Sequence, residues 1–164
     1  MFQPNVIPRA SALAVLLLSL LSVLPTAAGA APSTFGPVIG SALLCRSELD
    51  SAYFYNWMRD NFGPSYKQEG GAHWFKVEAN LWGTPVNEVM VSDDSSEVVF
   101  IAAVIDTKPE TLDEAIRRNA GPRHRPQDDS KYPVREAQPG SHIVYFKDKS
   151  KIYCLRYKPL RPAQ

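Results

Sequence analysis

The feature that most constrains the fold is the stretch Trp74 to Ile105, which predicts three consecutive antiparallel strands joined by two short turns. Its first part alternates apolar and polar residues with a period of two, as a strand with one buried face does. The polar positions are Lys76, Glu78 and Asn80. The apolar positions, expected on the core face, are Phe75, Val77, Ala79 and Leu81.

The two turns set the expected register of this meander. A turn at Gly83-Thr84-Pro85 would place Trp82 opposite Val86, and a polar turn at Asp93 to Ser96 would lead into the third strand. That strand is apolar on both sides, which predicts that both of its faces are covered. Carrying the pairing forward assigns Val98, Phe100, Ala102 and Val104 to the core face, and Val99, Ile101, Ala103 and Ile105 to the other.

The rest of the chain predicts two helices and a closing hairpin. Ser47 is a candidate cap for a helix ending near Asn61, with Leu49, Ala52, Tyr53 and Trp57 as its buried stripe. The capping-box spacing of Thr107 and Glu110 predicts a second helix that ends at Gly121-Pro122. In the hairpin, Ser141 to Lys147 and Lys151 to Tyr157 would pair with Lys147 opposite Lys151 and Phe146 opposite Ile152, so that Phe146, Ile152 and Cys154 share a face.

The expected fold class is therefore α+β: an antiparallel sheet in the order helix, three-stranded meander, helix, β-hairpin, with the helices packed on one face. This element order is similar to that of small type III secretion chaperones. The similarity is one of element order alone, and it implies nothing about activity.

The N-terminus has the composition of a secretory signal peptide over residues 1–30: a basic Arg9, an apolar stretch from Leu13 to Leu24 and small residues before a cleavage site. An extended arm is expected over 31–46, because it is rich in proline and glycine. One α+β domain would span 47–158, with a short tail at 159–164. The apolar stretch is too short to favour a permanent membrane span, so we expect a periplasmic or secreted protein.

The chain has two cysteines, Cys45 and Cys154. In an oxidising compartment they predict one disulfide, which would close a long loop. The alternative is two buried thiols.

Charge and motifs argue against several function classes. The chain has 18 basic and 17 acidic residues, and without Arg9 the two counts are equal, so bulk attraction to nucleic acid or membrane is not expected. Zinc, calcium and phosphate-loop spacings are lacking in the sequence, so neither a metal nor another cofactor is predicted.

The leading functional hypothesis is a small non-enzymatic binding module that contacts another protein or a hydrophobic segment through a sheet face; burial of that face in a homodimer is also open. Tryptophans beside an apolar patch are frequent contact anchors. The candidate partner-binding residues are Trp74, Trp82, Met90, Val99 and Ile101.

Two further sites are weighed. A basic cluster suited to a carboxylate or phosphate group comprises Arg117, Arg118, Arg123, His124 and Arg125. The alternative function is a small extracytoplasmic hydrolase that uses the irregular loop 123–140 with one of the three histidines, His73, His124 and His142.

Overall fold

The computed structural model describes residues 30–159, and these form an α+β domain built on one eight-stranded sheet. All neighbouring strands are antiparallel, in the spatial order β1-β2-β3-β4-β8-β7-β6-β5. The predicted fold class and the placement of the helices on one face are confirmed. The strands are β1 Lys67–Glu69, β2 Ala72–Leu81, β3 Thr84–Ser92, β4 Val98–Ile105, β5 Arg125–Pro126, β6 Arg135–Ala137, β7 Ser141–Phe146 and β8 Lys149–Tyr157.

Three helical segments accompany the sheet. The first, α1, has a π-helical turn at Gly36–Gly40 followed by a short α-helical turn at Ser41–Leu43. The second, α2, spans Ser51–Phe62, and α3 spans Pro109–Ala120. The predicted signal peptide and most of the predicted tail fall on residues 1–29 and 160–164, outside the described residues.

The segment predicted as an extended arm is helical, which corrects that prediction. Pro37 lies in the first turn of α1, where no backbone donor is lost. Gly40 allows a close approach, because a Cβ there would lie 3.2 Å from a methyl carbon of Leu81. Phe35, Ile39 and Leu43 are consequently buried in the main core.

Helix α2 begins later than predicted. Asp50 caps it by accepting a hydrogen bond from the Tyr53 amide at 3.0 Å, so Ser47 is not the cap. The buried face also differs from the prediction: Phe54 and Met58 enter the core, while Tyr53 is 51% exposed.

Helix α3 buries the predicted Leu112, Ala115 and Ile116 and ends at Gly121 as expected. The predicted capping box does not form, because Lys108 occupies the cap position without a side-chain hydrogen bond.

The first hairpin turns earlier than predicted. Its two central residues are Trp82 and Gly83, both with positive φ, as a tight two-residue hairpin requires. That turn alone would place Lys76 opposite Val89. A register irregularity between Lys76 and Ala79 moves Lys76 to Glu88, where the predicted register placed Asn80.

The two sets of alternating side chains on β4 lie on the opposite faces to those predicted. Ile101 pairs with Val91, and the Ser92 hydroxyl accepts the Phe100 amide hydrogen at 3.0 Å near the turn. Ile101, Ala103 and Ile105 therefore join the main core, while Phe100, Ala102 and Val104 face the opposite side.

The closing hairpin shows the same kind of difference. Its turn is Lys147-Asp148, and Lys147 has a φ of 59°. Ile143 rather than Phe146 is paired with Ile152. As a result, Phe146 lies on the face opposite the main core.

Candidate functional site on the open face of the sheet

The two faces of the sheet are covered to very different extents. One face packs against all three helices in a core that includes Phe75, Val89, Ile101 and Ile152; we call it the covered face. No helix of the described residues buries its apolar side chains against the other face, which we call the open face. The open face is thus the part of the sheet still available for contact.

The centre of the open face is an apolar bed with an aromatic rim. Ala72, Met90, Ala102 and Val104 are buried, although none of the described helices contributes a side chain to their cluster. Larger, half-buried side chains pack around this bed: Trp74, Phe100, Phe146 and Tyr153. The apolar bed and its aromatic rim together form a groove of about 540 Å³.

The strand register arranges this face as a row that crosses all eight strands. Residues paired across successive strands lie side by side on one face. The row contains, in spatial order, Lys67, Trp74, Met90, Ala102, Tyr153, His142, Glu136 and Arg125. Its centre is apolar and its two ends are charged, so the groove offers apolar contact between polar margins.

Three lysines lie against the aromatic rings of this face. The Lys67 ammonium is 4.0 Å from the centre of the Trp74 ring, and Lys76 is 4.7 Å from the Tyr66 ring. Lys151 is 4.4 Å from the Phe146 ring and 5.7 Å from the Trp74 ring. Such contacts attract the cation to the ring face and keep both groups in place.

Two of these lysines have carboxylate partners. Lys67 pairs with Glu69 at 2.9 Å, and Lys76 pairs with Glu88 at 2.5 Å. Glu88 also accepts a hydrogen bond from the Tyr66 hydroxyl at 2.8 Å. Burial tends to raise the pKa of Glu88, but the bonds from Lys76 and Tyr66 outweigh it and hold that pKa below its usual value.

The same hydrogen bond also changes the pKa of Tyr66. Burial and the hydrogen bond to Glu88 raise the pKa of Tyr66 to about 12. Tyr66 is therefore a neutral hydrogen-bond donor at physiological pH, and it fixes the Glu88 carboxylate at the margin of the groove.

Lys151 differs from the other two. Within residues 30–159 it has no carboxylate oxygen within 4 Å of its ammonium. Burial lowers the pKa of Lys151, opposed by the more distant charge of Glu88. Lys151 therefore places a cation over apolar surface without an ion-pair partner among the described residues.

The predicted partner-binding residues divide between the two faces. Trp74 and Met90 lie together on the open face. Ile101 is fully buried in the main core, and Val99 and Trp82 pack against that core. Trp82 lies against α1, where a Cβ on Gly40 would be 3.6 Å from its ring. The sequence prediction therefore combined two faces into one surface.

Phe100, Phe146, Lys151 and Tyr153 of the open face were missed as site residues. Lys151 and Tyr153 follow the period of two that predicts a strand. Only the register of the hairpin, however, determines whether they lie on the covered or the open face. A turn at Lys147-Asp148 would have placed Phe146 beside Lys151 and Tyr153.

The predicted basic cluster does not form one site. Arg117 pairs with Glu114 at 2.7 Å, and Arg118 lies 3.9 Å from the same carboxylate. Arg123 and Arg125 line a separate groove beside Glu136. His124, the fifth member, is fully buried and faces away from solvent.

His124 lies in a buried array with Ser141 and Asp113. Its Nε2 is 3.0 Å from the Ser141 hydroxyl, and its Nδ1 is 3.6 Å from an Asp113 carboxylate oxygen. The Ser141 hydroxyl donates to the Leu43 carbonyl at 2.8 Å. Burial lowers the pKa of His124 to about 4, although Asp113 acts in the opposite direction.

The residue types of this array are those of a hydrolase triad, but its surroundings are those of a core contact. A nucleophilic serine has to be reached by a substrate carbonyl. Ser141 is 1% exposed and its proton is engaged by Leu43 beneath α1. The array ties loop 123–140, β7 and the end of α1 to α3.

The other two histidines contact aromatic rings instead. His73 contacts the Tyr55 ring at 4.5 Å near α2, and His142 stacks on Tyr153 at 5.0 Å. The irregular loop 123–140 contains the short strands β5 and β6, which extend the sheet.

The predicted disulfide is confirmed. Cys45 and Cys154 are bonded, with their Cα atoms 5.4 Å apart and 109 positions apart in the chain. The bond fastens the segment after α1 to β8 on the covered face.

Comparisons with known proteins add no assignment: no family model, curated protein or solved structure matches the chain. Within residues 30–159, no three histidine, cysteine or acidic side chains group in a way that could hold a metal ion. None of the helices in that range has the length and apolar character needed to cross a bilayer.

Proposed function

We propose that the chain is a small non-enzymatic binding module, exported to the periplasm or beyond, whose open sheet face holds an extended apolar segment of another protein. The observation that carries this proposal is the groove itself: a bed of apolar residues with four half-buried aromatic side chains around it, against which none of the helices in residues 30–159 packs.

The shape of the groove favours a peptide over an enclosed small molecule. Its aromatic rim is only half-buried, so a ligand would keep one side in water. Small-molecule pockets usually enclose most of the ligand surface. An extended segment with apolar side chains at every second position fits such a groove. Its apolar side chains would contact the bed, while the alternate side chains point to the opposite side, toward water.

Export is supported by the disulfide. Cys45 and Cys154 form a structural bond, and such bonds persist in oxidising compartments. The sequence of residues 1–30 has the features of a signal peptide that would take the chain there.

The experiment is a titration with a defined probe, the acetylated and amidated peptide SLSLSLS, into protein produced from the full-length chain with export to an oxidising compartment. Calorimetry gives the affinity and amide NMR maps the contact. We expect shifts along β4, β7 and β8 at open-face positions. Trp74→Ala and Phe146→Ala should each weaken binding about tenfold, as loss of an aromatic anchor does.

Trp82→Ala is the matched control, because Trp82 is also half-buried but packs on the covered face. It should leave the affinity unchanged. Equal affinities for the wild type and the Trp74 and Phe146 variants, or shifts confined to other surfaces, would refute the proposal.

A further inference from the structure

The charges at the groove do not balance. Two lysines, Lys67 and Lys151, and one glutamate, Glu69, line the groove, and beside it Lys76 and Glu88 form a further pair. Each of the two glutamates is within 3 Å of its own lysine. The third lysine, Lys151, has no such partner among the described residues.

The unpaired ammonium lies within the groove and not at its margin. Lys151 is on β8, and its ammonium lies near rings from two strands on either side of it, Phe146 on β7 and Trp74 on β2. Its side chain therefore reaches over the bed, and its stem covers apolar surface while its charge stays at the top.

A segment with only apolar side chains on the bound side would bind less tightly than one that pairs with Lys151. A peptide that covered Lys151 with aliphatic side chains would remove water from a cation without replacing its hydrogen bonds. A carboxylate at the same place would supply a charge-assisted hydrogen bond, which is stronger than one between neutral groups.

We propose that the segment held by the open face carries an internal aspartate or glutamate between apolar residues, and that this carboxylate pairs with Lys151. This rests on the proposed function and specifies its partner. The acid is internal because aromatic rings lie on both sides of the ammonium, so apolar contacts continue in both directions along the segment.

The test compares two acetylated and amidated peptides, SLSESLS and SLSQSLS. The central residue and both leucines share one side of the extended chain, and the peptides differ only in charge. The wild-type protein should bind the glutamate peptide roughly five- to tenfold more tightly, the range expected for a charge-assisted hydrogen bond at a partly dry site. The preference should shrink with added salt.

Three variants assign the preference to one side chain. Lys151→Met keeps the apolar stem and should bind both peptides equally, whereas Lys151→Arg should retain the preference. Lys131→Met removes an exposed lysine outside the groove and should behave as the wild type.

The outcomes separate the two proposals. If the wild type binds both peptides with equal affinity at the open face, the acidic partner is refuted and the binding module stands. If the preference survives in Lys151→Met, Lys151 is not the pairing residue. If neither peptide binds, the binding module fails and the acidic partner fails with it.

Discussion

The two faces of the sheet are made of similar residues but differ in how far they are covered. The covered face packs aliphatic and aromatic side chains against α1, α2 and α3, and a disulfide fastens it. The open face keeps four half-buried aromatic residues and three lysines at its surface. Stability should therefore depend on the covered face and recognition on the open one.

The largest expected effect is loss of the disulfide on the covered face. Replacing Cys45 and Cys154 with alanine should lower the free energy of unfolding by about 4 to 5 kcal/mol in the chain-entropy model, because the bond closes a loop of 109 positions. Urea unfolding of the variant and the wild type measures it. A loss below about 1 kcal/mol would show that the packing of α1 against the sheet does not need the bond.

A matched pair on β4 compares the faces directly. Ile101 is fully buried on the covered face, and its neighbour Phe100 is half-buried on the open face. Ile101→Ala should lower the free energy of unfolding by about 3 kcal/mol. Phe100→Ala, although it removes a larger side chain, should cost about 1 kcal/mol. Chemical denaturation of both variants measures the two losses of unfolding free energy. Equal losses would mean that the open face is part of the stabilising core.

These comparisons depend on which side chains of each strand face the core, and the sequence alone did not predict this correctly for every strand. The alternation of β2 correctly placed Phe75, Val77, Ala79 and Leu81 in the core. The two hairpin turns were misplaced because a residue with a side chain, Trp82 in one and Lys147 in the other, has positive φ. Such residues rarely adopt this conformation, so glycine and proline were the stronger turn signals.

The Trp82 ring also lies near Gly40 of α1, a contact across more than forty positions that no local pattern reports. A one-residue difference in pairing, or any odd one, sends a strand's side chains to the other face. At the turn from β3 to β4 such a difference grouped Ile101 and Val99 with Trp74, and at the closing hairpin it assigned Phe146 to the core.

The covered face also predicts a pH dependence. The pKa of His124 falls from its ordinary 6.5 to about 4 on folding. Between these values the unfolded chain binds a proton that the folded protein does not. The contribution of His124 to the free energy of unfolding is therefore complete above pH 6.5 and falls as the pH drops toward 4. The slope from this group is about 1.4 kcal/mol per pH unit, up to about 3 kcal/mol in all.

The variant His124→Gln removes this contribution while keeping a side chain able to donate to Ser141. Its unfolding free energy, measured with urea from pH 7 to pH 4, should fall less steeply than that of the wild type. Parallel curves for the two proteins would show that His124 does not titrate differently in the folded state.

The smallest expected effect is on the open face. Lys76→Met removes the ion pair with Glu88, but the lysine side chain is 66% exposed. An exposed pair contributes less than about 1 kcal/mol. Thermal and urea unfolding should be nearly unchanged. A loss comparable with that of Ile101→Ala would mean that the charged margin of the groove stabilises the fold and is not reserved for recognition.

Hydroxyl-radical footprinting of the purified protein, read by mass spectrometry, tests the difference between the faces most directly. Trp74, Phe100, Phe146 and Tyr153 should be oxidised rapidly, whereas Phe75 and Phe54 on the covered face should be protected. Adding the peptide SLSESLS should protect the first group alone. Slow oxidation of those four residues in the free protein would contradict the account, since it would mean that the open face is already covered in solution.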